Sequence, residues 1–374
     1  MRVGGHAVAP LLSYRPRCAI AMPSIVAILN PTIVAEPTQD RLRMNRFRPL
    51  RFALAAMLGV FQLTAAAAEN SAGELQRKLD SIAQRARPGT LGVAVLDLQS
   101  GQSWRVNAER AYPMMSVFKA PLGAAVLERV DRGELCLAQL VTLTRADWYD
   151  TWSPVVGKFP GDSAQFTVRQ LLDAAVSDSD NIAADALVKL IGGPAEVTAY
   201  LRAHGVAGMR VDRDERGLAH DTDGLAANAA APPAGESANA KLARERRGHA
   251  AYLADARDRS TPEAAADFLR KLWRGELLSH ESTALMLEMM THTPNAPKRL
   301  KAGLPADAKL AHKTGSSGTF EGVTAAQNDI GIVSWPNGHA IVVAAFLTAS
   351  RASGPERDRI FSALAREVTA SLHP

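Results

Sequence analysis

Strand-type sequence gathers at the two ends of the main body of this chain, and that placement limits the fold more than any other feature. At the front, Leu91 to Leu98 is an apolar β-type run, and Ser100-Gly101 turns it into Trp104-Arg105-Val106, a hairpin pattern. At the back, Asp329 to Trp335 and Ala340 to Thr348 flank a Pro336-Asn337-Gly338 turn. From Lys119 to about Met290 the pattern is mostly helical. Two further helices lie beside the strands. Glu74 to Arg87 carries Leu75, Leu79, Ile82 and Ala86 at helical spacing and stops at Pro88-Gly89; Pro355 to Leu372 is the other. The expected architecture is one α/β lobe assembled from both ends, with an all-helical lobe inserted between.

Charge is distributed unevenly. The chain of 374 residues has a pI near 9.3, but residues 1–68 hold eight Arg against only Glu36 and Asp40. The remainder carries 35 basic and 36 acidic residues, so the basic pI is no argument for nucleic acid. Met44 to Arg51 is a positive start, Phe52 to Leu63 is apolar, and Ala65 to Ala68 are small residues before Glu69. That is the layout of a secretory signal, and the apolar run is shorter than the ~20 residues a membrane span needs. The expectation is a signal peptide at 44–68 that starts at Met44, with residues 1–43 a non-native or disordered extension. The product would be periplasmic or secreted, with no stable membrane anchor after cleavage. Cys18 would be lost, leaving an exported chain without an internal disulfide.

Three short motifs carry the chemistry. In Met115-Ser116-Val117-Phe118-Lys119, a hydroxyl and an amine stand three residues apart, so they share a face if a helix starts near Ser116. The N–H of Ser116 would then belong to the unpaired donors of a first turn. Ser179-Asp180-Asn181 lies between the apolar Leu171-to-Val176 segment and a helix-like Ile182-to-Ile191. Lys313-Thr314-Gly315 ends the short apolar run Leu310-Ala311-His312. In this order and with these separations, the set resembles that of class A serine β-lactamases, most of all their extended-spectrum branches.

The resemblance covers nearly everything from Glu69 onward. It implies the two-lobed serine β-lactamase/DD-peptidase-like fold, with an antiparallel sheet flanked by terminal helices: an α/β lobe at 69–113 and 294–374, and a helical lobe at 114–293. Acyl transfer needs a nucleophile, a base, an acid for the leaving nitrogen and donors for the oxyanion. By resemblance, Ser116 is the nucleophile. Lys119 acts as a base if a second cation, Lys313, crowds it. Ser179 relays a proton to the leaving nitrogen, and Asn181 holds a substrate amide or orients Lys119. Thr314 suits a substrate carboxylate, and the N–H groups of Ser116 and Ser316 form the oxyanion hole beside Gly315.

Glu215 stands 34 residues after Asn181, at the register of the family's deacylating glutamate. Leu218 fits the accompanying Glu-x-x-Leu-Asn, but Ala219 replaces the Asn that helps hold the hydrolytic water. Arg213 and Asp258 fall where the family has an ion pair, with Pro262 just beyond. Trp152 resembles the aromatic at the site entrance. Thr324 occupies the usual arginine position after Lys-Thr-Gly, so Arg299, fourteen residues before Lys313, is expected to bind the substrate carboxylate.

Residues 221 to 257 interrupt the pattern as an insertion. It has an Ala/Pro-rich first part, a helix-compatible Ala238 to Ala254, and an expected place on the surface. No metal-ligand cluster is visible among nine scattered histidines, so no metal or other cofactor is expected. The implied protein is a monomer with a small-molecule β-lactam as its partner. It would hydrolyse penicillins and also cephalosporins through an acyl-enzyme. A DD-peptidase and a β-lactam-binding protein that acylates without turnover remain as alternatives.

Overall fold

The computed structural model describes residues 72–158, 161–226, 229 and 231–373. The expected signal at 44–68 and the extension at 1–43 lie outside the described residues. In chain order, helix α1 covers residues 72–85, followed by β1 (Thr90–Asp97), β2 (Ser103–Val106) and β3 (Tyr112–Pro113). A single 3-10 turn, Met115–Phe118, leads into α2 (Lys119–Asp131). The helical region holds the hairpin β4 (Leu140–Thr144) and β5 (Ser163–Thr167), then α3 (Val168–Val176), α4 (Asn181–Leu190) and α5 (Pro194–Ala203). Next come α6 (Glu215–Thr222), α7 (Ala238–Ala254), β6 (Arg259–Ser260), α8 (Pro262–Trp273) and α9 (His280–Thr291). The chain returns to strands with β7 (Lys309–Ser316), β8 (Thr319–Phe320), β9 (Val323–Ser334) and β10 (Ala340–Ser350), then α10 (Gly354–Leu372).

The main sheet runs β2-β1-β10-β9-β7, with β8 attached to β9, and its neighbours pair antiparallel. Its centre joins the two ends of the described chain: Val93 on β1 lies opposite Ala345 on β10. Side chains alternate across the strands. Leu91, Val93 and Val95 pack with Leu75, Leu79 and Ile82 of α1 and with Phe361, Leu364 and Val368 of α10. Ala94, Ala344, Phe346 and Ile330 face the other way, into a core shared with the inserted helices. Because both faces are covered, β10 is apolar along nearly its whole length rather than alternating.

The inserted lobe is built around α2, which is buried from Lys119 to Leu127 and packs against α3, α4, α5 and α9. A helix apolar on all sides has to sit inside. Several starts are fixed by local chemistry. Thr167, Asp180, Asp214, Thr261 and Ser279 each accept a backbone N–H of the helix that follows.

The insertion departs from the expected surface position. Its Ala/Pro part is mostly exposed, but α7 buries Arg244, Gly248 and Tyr252, a stripe at four-residue spacing. Gly248 sets the approach to α6: a Cβ there would stand 2.3 Å from the Thr222 carbonyl oxygen. A helix that sheds one face from water does so by finding a partner, and composition alone did not reveal that face. The expectation of an exported chain without an internal disulfide turns on the segment carrying Cys18, which lies outside the described residues.

Candidate active site

Lys119, Asn181 and Glu215 are the first residues of α2, α4 and α6. Three helices thus bring their N-terminal ends to one place beside β7. The nucleophile segment is set by its surroundings. Asn328 on β9 donates from Nδ2 to the carbonyls of Pro113 (2.8 Å) and Met114 (3.0 Å). Gly315 on β7 lets the strand close on the same segment, since a Cβ there would stand 2.3 Å from the Met114 carbonyl oxygen. Met115, the residue before Ser116, has φ of +47°, in the left-handed region.

Ser116 and Lys119 meet on a shared atom. Ser116 Oγ donates to Glu215 Oε1 at 3.0 Å, and Lys119 Nζ lies 2.9 Å from the same oxygen. Lys119 also donates to the Ser179 carbonyl at 2.8 Å and to Asn181 Oδ1 at 2.5 Å. The three partners of Nζ equal the three donors an ammonium carries. Lys119 and Glu215 are both buried, at 0% and 5% exposure, so these contacts are shielded from water. Asn181 is itself held, donating from Nδ2 to Thr151 Oγ1 at 2.6 Å.

A second pair faces this group. Lys313 Nζ donates to Ser179 Oγ at 2.8 Å and to the Thr314 carbonyl at 3.1 Å. Ser179 has φ of +61°, and the next residue, Asp180, is fully buried. Asp180 accepts from Ala183 N, Ser153 Oγ and Val155 N at 2.7–2.8 Å, which ties the Trp152 loop to the start of α4. Burial, with the Lys119 ammonium as the next cause, pushes Lys313 well below the ordinary lysine range. The cation expected to crowd Lys119 is therefore the one whose charged form is disfavoured.

The outer residues are less uniform. Trp152 is 62% exposed and donates from its indole to the Asp178 carbonyl at 3.0 Å, an exposed wall of the site. Thr314 is buried on β7, and Gly315 and Ser316 follow it. Arg299 is only 8% exposed. Its Nη1 donates to the carbonyls of Asn328 (2.9 Å) and Gly315 (3.3 Å), and its Nη2 donates to Ser316 Oγ at 2.6 Å. Nη1 of Arg299, the residue expected to bind the substrate carboxylate, is thus taken up by the strands, and Nη2 carries the link outward through Ser316. Thr324 is buried and bonds Thr319 across the hairpin at 2.6 Å.

Sequence reasoning missed several members of this arrangement. Asp185 accepts the N–H of Glu215 at 2.7 Å, the N–H of Arg216 at 3.1 Å and the hydroxyl of Tyr149 at 2.9 Å. Burial, then the nearby Asp214, raise its pKa to about 7. It stands four residues after Asn181 on the same helix face, a spacing that could have flagged it. Thr151 and Asn328 carried no such local signal.

The segment holding Glu215 is pinned as the resemblance implied, and more extensively. Arg213 Nε meets Asp258 Oδ2 at 2.6 Å, and its Nη1 meets Asp221 at 2.6 Å and Asp255 at 3.1 Å. Asp221 and Asp255 stand near the two ends of the insertion. The Arg257 side chain, its chief partner, holds Asp255 down at about 2. Among the described residues, no group of three or more His, Cys, Asp or Glu is arranged to hold a metal ion.

The chain resembles known proteins in sequence and in fold. Residues 74–372 match the model of the beta-lactamase enzyme family. The chain is 33% identical over 293 residues to the extended-spectrum beta-lactamase PER-1 of Pseudomonas aeruginosa, covering 78% of this chain and 85% of that protein. Among solved structures, a beta-lactamase from Chitinophaga pinensis superposes with a TM-score of 0.68 at 33% identity, over 80% of this chain and 99% of that one. An ancestral class A beta-lactamase of Gram-negative bacteria gives a TM-score of 0.65 at 35% identity, over 80% of this chain and all of the other.

Proposed function

This chain belongs to the beta-lactamase enzyme family, class A, and hydrolyses β-lactams, and from that premise we propose how its own residues do so. Ser116 Oγ attacks the lactam carbonyl, and its proton passes to Glu215 Oε1, 3.0 Å away. Lys119 touches the same oxygen and hands protons on within the cluster. Charge on the carbonyl oxygen is met by the backbone N–H groups of Ser116 and Ser316. The C–N bond breaks, and the leaving nitrogen takes a proton from Ser179 Oγ, which Lys313 restores from 2.8 Å away; the proton on Glu215 passes back through Lys119 to that pair, so Glu215 is a carboxylate again. Water then attacks the acyl carbon and gives a proton to Glu215, the ester C–O bond breaks, and Glu215 returns that proton to Ser116 Oγ, which leaves as the free hydroxyl.

The observation that carries this reading is the convergence of Ser116 Oγ and Lys119 Nζ on one oxygen of Glu215. It favours turnover over the DD-peptidase and acylate-and-stall readings, because a carboxylate stands within bonding distance of the acylated position. We assign penicillins and cephalosporins as substrates, with their carboxylate held by Thr314 and Ser316 and, through Ser316, by Arg299. The layout of residues 44–68 supports export, and among the described residues no helix is long and apolar enough to cross a membrane.

The test is Glu215→Gln, which keeps the shape and removes the base. A general base contributes roughly 10²–10⁴ in rate, so release should slow by that factor, and acylation, for which Lys119 remains as a base, should slow less. Mass spectrometry should find a stable penicilloyl adduct on Ser116, absent from Ser116→Ala. Wild-type turnover by Glu215→Gln would mean that another group activates the water.

A further inference from the structure

The residue before the nucleophile is held by a helix that lies within the insertion. Met115 has φ of +47°, a conformation that non-glycine residues keep only where their surroundings impose it. Gly315 on β7 backs it closely: a Cβ there would stand 3.2 Å from Met115 Cβ. Leu218 of α6, Ala325 of β9 and Tyr252 of α7 form a small core against which Met115 packs. Tyr252 is 4% exposed, and its hydroxyl lies 2.8 Å from Met115 Sδ. Met115 therefore sits where the strand of Lys313, the helix of Glu215 and the inserted helix meet. Of these three, α7 alone bears no residue with a part in the acyl-transfer chemistry.

We propose that Tyr252 is a positioning residue for acylation. Its ring and hydroxyl fix the Met115 side chain and with it the left-handed turn that aims Ser116 Oγ and the Ser116 N–H at the acyl carbonyl. Acylation thereby depends on the insertion, whereas Glu215, whose helix also meets Tyr252 through Leu218, keeps its own anchors, its N–H on Asp185 and the Arg213–Asp258 pair of its loop. The inference rests on Ser116 being the nucleophile.

Burst kinetics on a chromogenic cephalosporin separate the two chemical steps, and thermal unfolding of the same samples reports structure. Tyr252→Leu should slow the burst by a factor between about 10 and 100, the scale of a misplaced nucleophile, and change deacylation less than about twofold. Tyr252→Phe keeps the ring against Met115 and should recover most of the burst rate. Arg244→Ala is the control on the same helix. Arg244 bonds Glu236 at 2.9 Å and the Asp223 carbonyl, so its loss should lower Tm but leave the burst unchanged. An unchanged burst in Tyr252→Leu would overturn the proposal. So would slowing by Tyr252→Leu and Arg244→Ala in proportion to their lost stability, because that marks a structural effect. An adduct trapped in Glu215→Gln on a residue other than Ser116 would instead refute the nucleophile assignment.

Discussion

Replacing Asp185 with Asn should invert its effect on stability between acid and alkaline pH. Asp185 is largely buried, and its pKa is raised from the ordinary 3.8 to about 7, first by burial and then by Asp214. The folded state thus holds this proton more tightly than the unfolded chain does. The stabilisation is fully present below the unfolded value near 4, fades as pH rises, and is gone above about 7. A shift of roughly three units is worth about 4 kcal/mol at about 1.36 kcal/mol per unit, spread over that window as a fall in stability with rising pH.

The amide introduced by Asp185→Asn would not titrate. Its oxygen could still accept the Glu215 N–H, but its nitrogen could not accept the Arg216 N–H that Asp185 Oδ2 now takes at 3.1 Å. Tyr149 could turn its hydroxyl to accept from that nitrogen. Losing this bond, whose donor lies on the exposed side of α6, costs roughly 0.5–1.5 kcal/mol at every pH. The variant should therefore be less stable than wild type by about 1 kcal/mol near pH 4, and more stable by about 3 kcal/mol near pH 9. The two stability curves should cross between these limits. Urea denaturation at fixed ionic strength across this range, with equal m-values, measures the difference directly. A difference that stays constant from pH 4 to pH 9 would refute the reasoning, since it would mean that Asp185 ionises like an exposed carboxylate.

Two other outcomes follow from the geometry. Ser316→Ala removes the hydroxyl that Arg299 holds at 2.6 Å. It should lower kcat/KM for a cephalosporin by about 1–3 kcal/mol in transition-state terms; unchanged kinetics would place the substrate carboxylate elsewhere. Gly248→Ala would put a Cβ 2.3 Å from the Thr222 carbonyl oxygen. The crossing of α6 and α7 should then open, with a net loss of about 1–3 kcal/mol in chemical denaturation despite the better helix propensity of alanine. A gain in stability would show that the crossing has slack.

Local features were the most legible. The spacing of Leu75, Leu79 and Ile82 marked α1, and the Lys-Thr-Gly run marked the end of β7, because periodicity and turn chemistry belong to short stretches of backbone. Ser116 and Lys119 were legible as neighbours for the same reason, and Glu215 by its register in a known pattern. Their meeting on one carboxylate oxygen was not legible, because 99 residues separate Ser116 from Glu215.

By itself, the sequence determined which segments could be strands or helices and which residues had the chemistry for acyl transfer. Tertiary structure decided who meets whom. Lys313 bonds Ser179 across 134 residues, and Tyr252 reaches Met115 across 137. It also turned Arg299 inward, where the carbonyls of β7 and β9 take its Nη1 donors. Such pairings arise because a close-packed interior must fill every gap and satisfy every buried polar group. That requirement is met by whatever side chain the fold brings near, however distant along the chain, so no local pattern announces it.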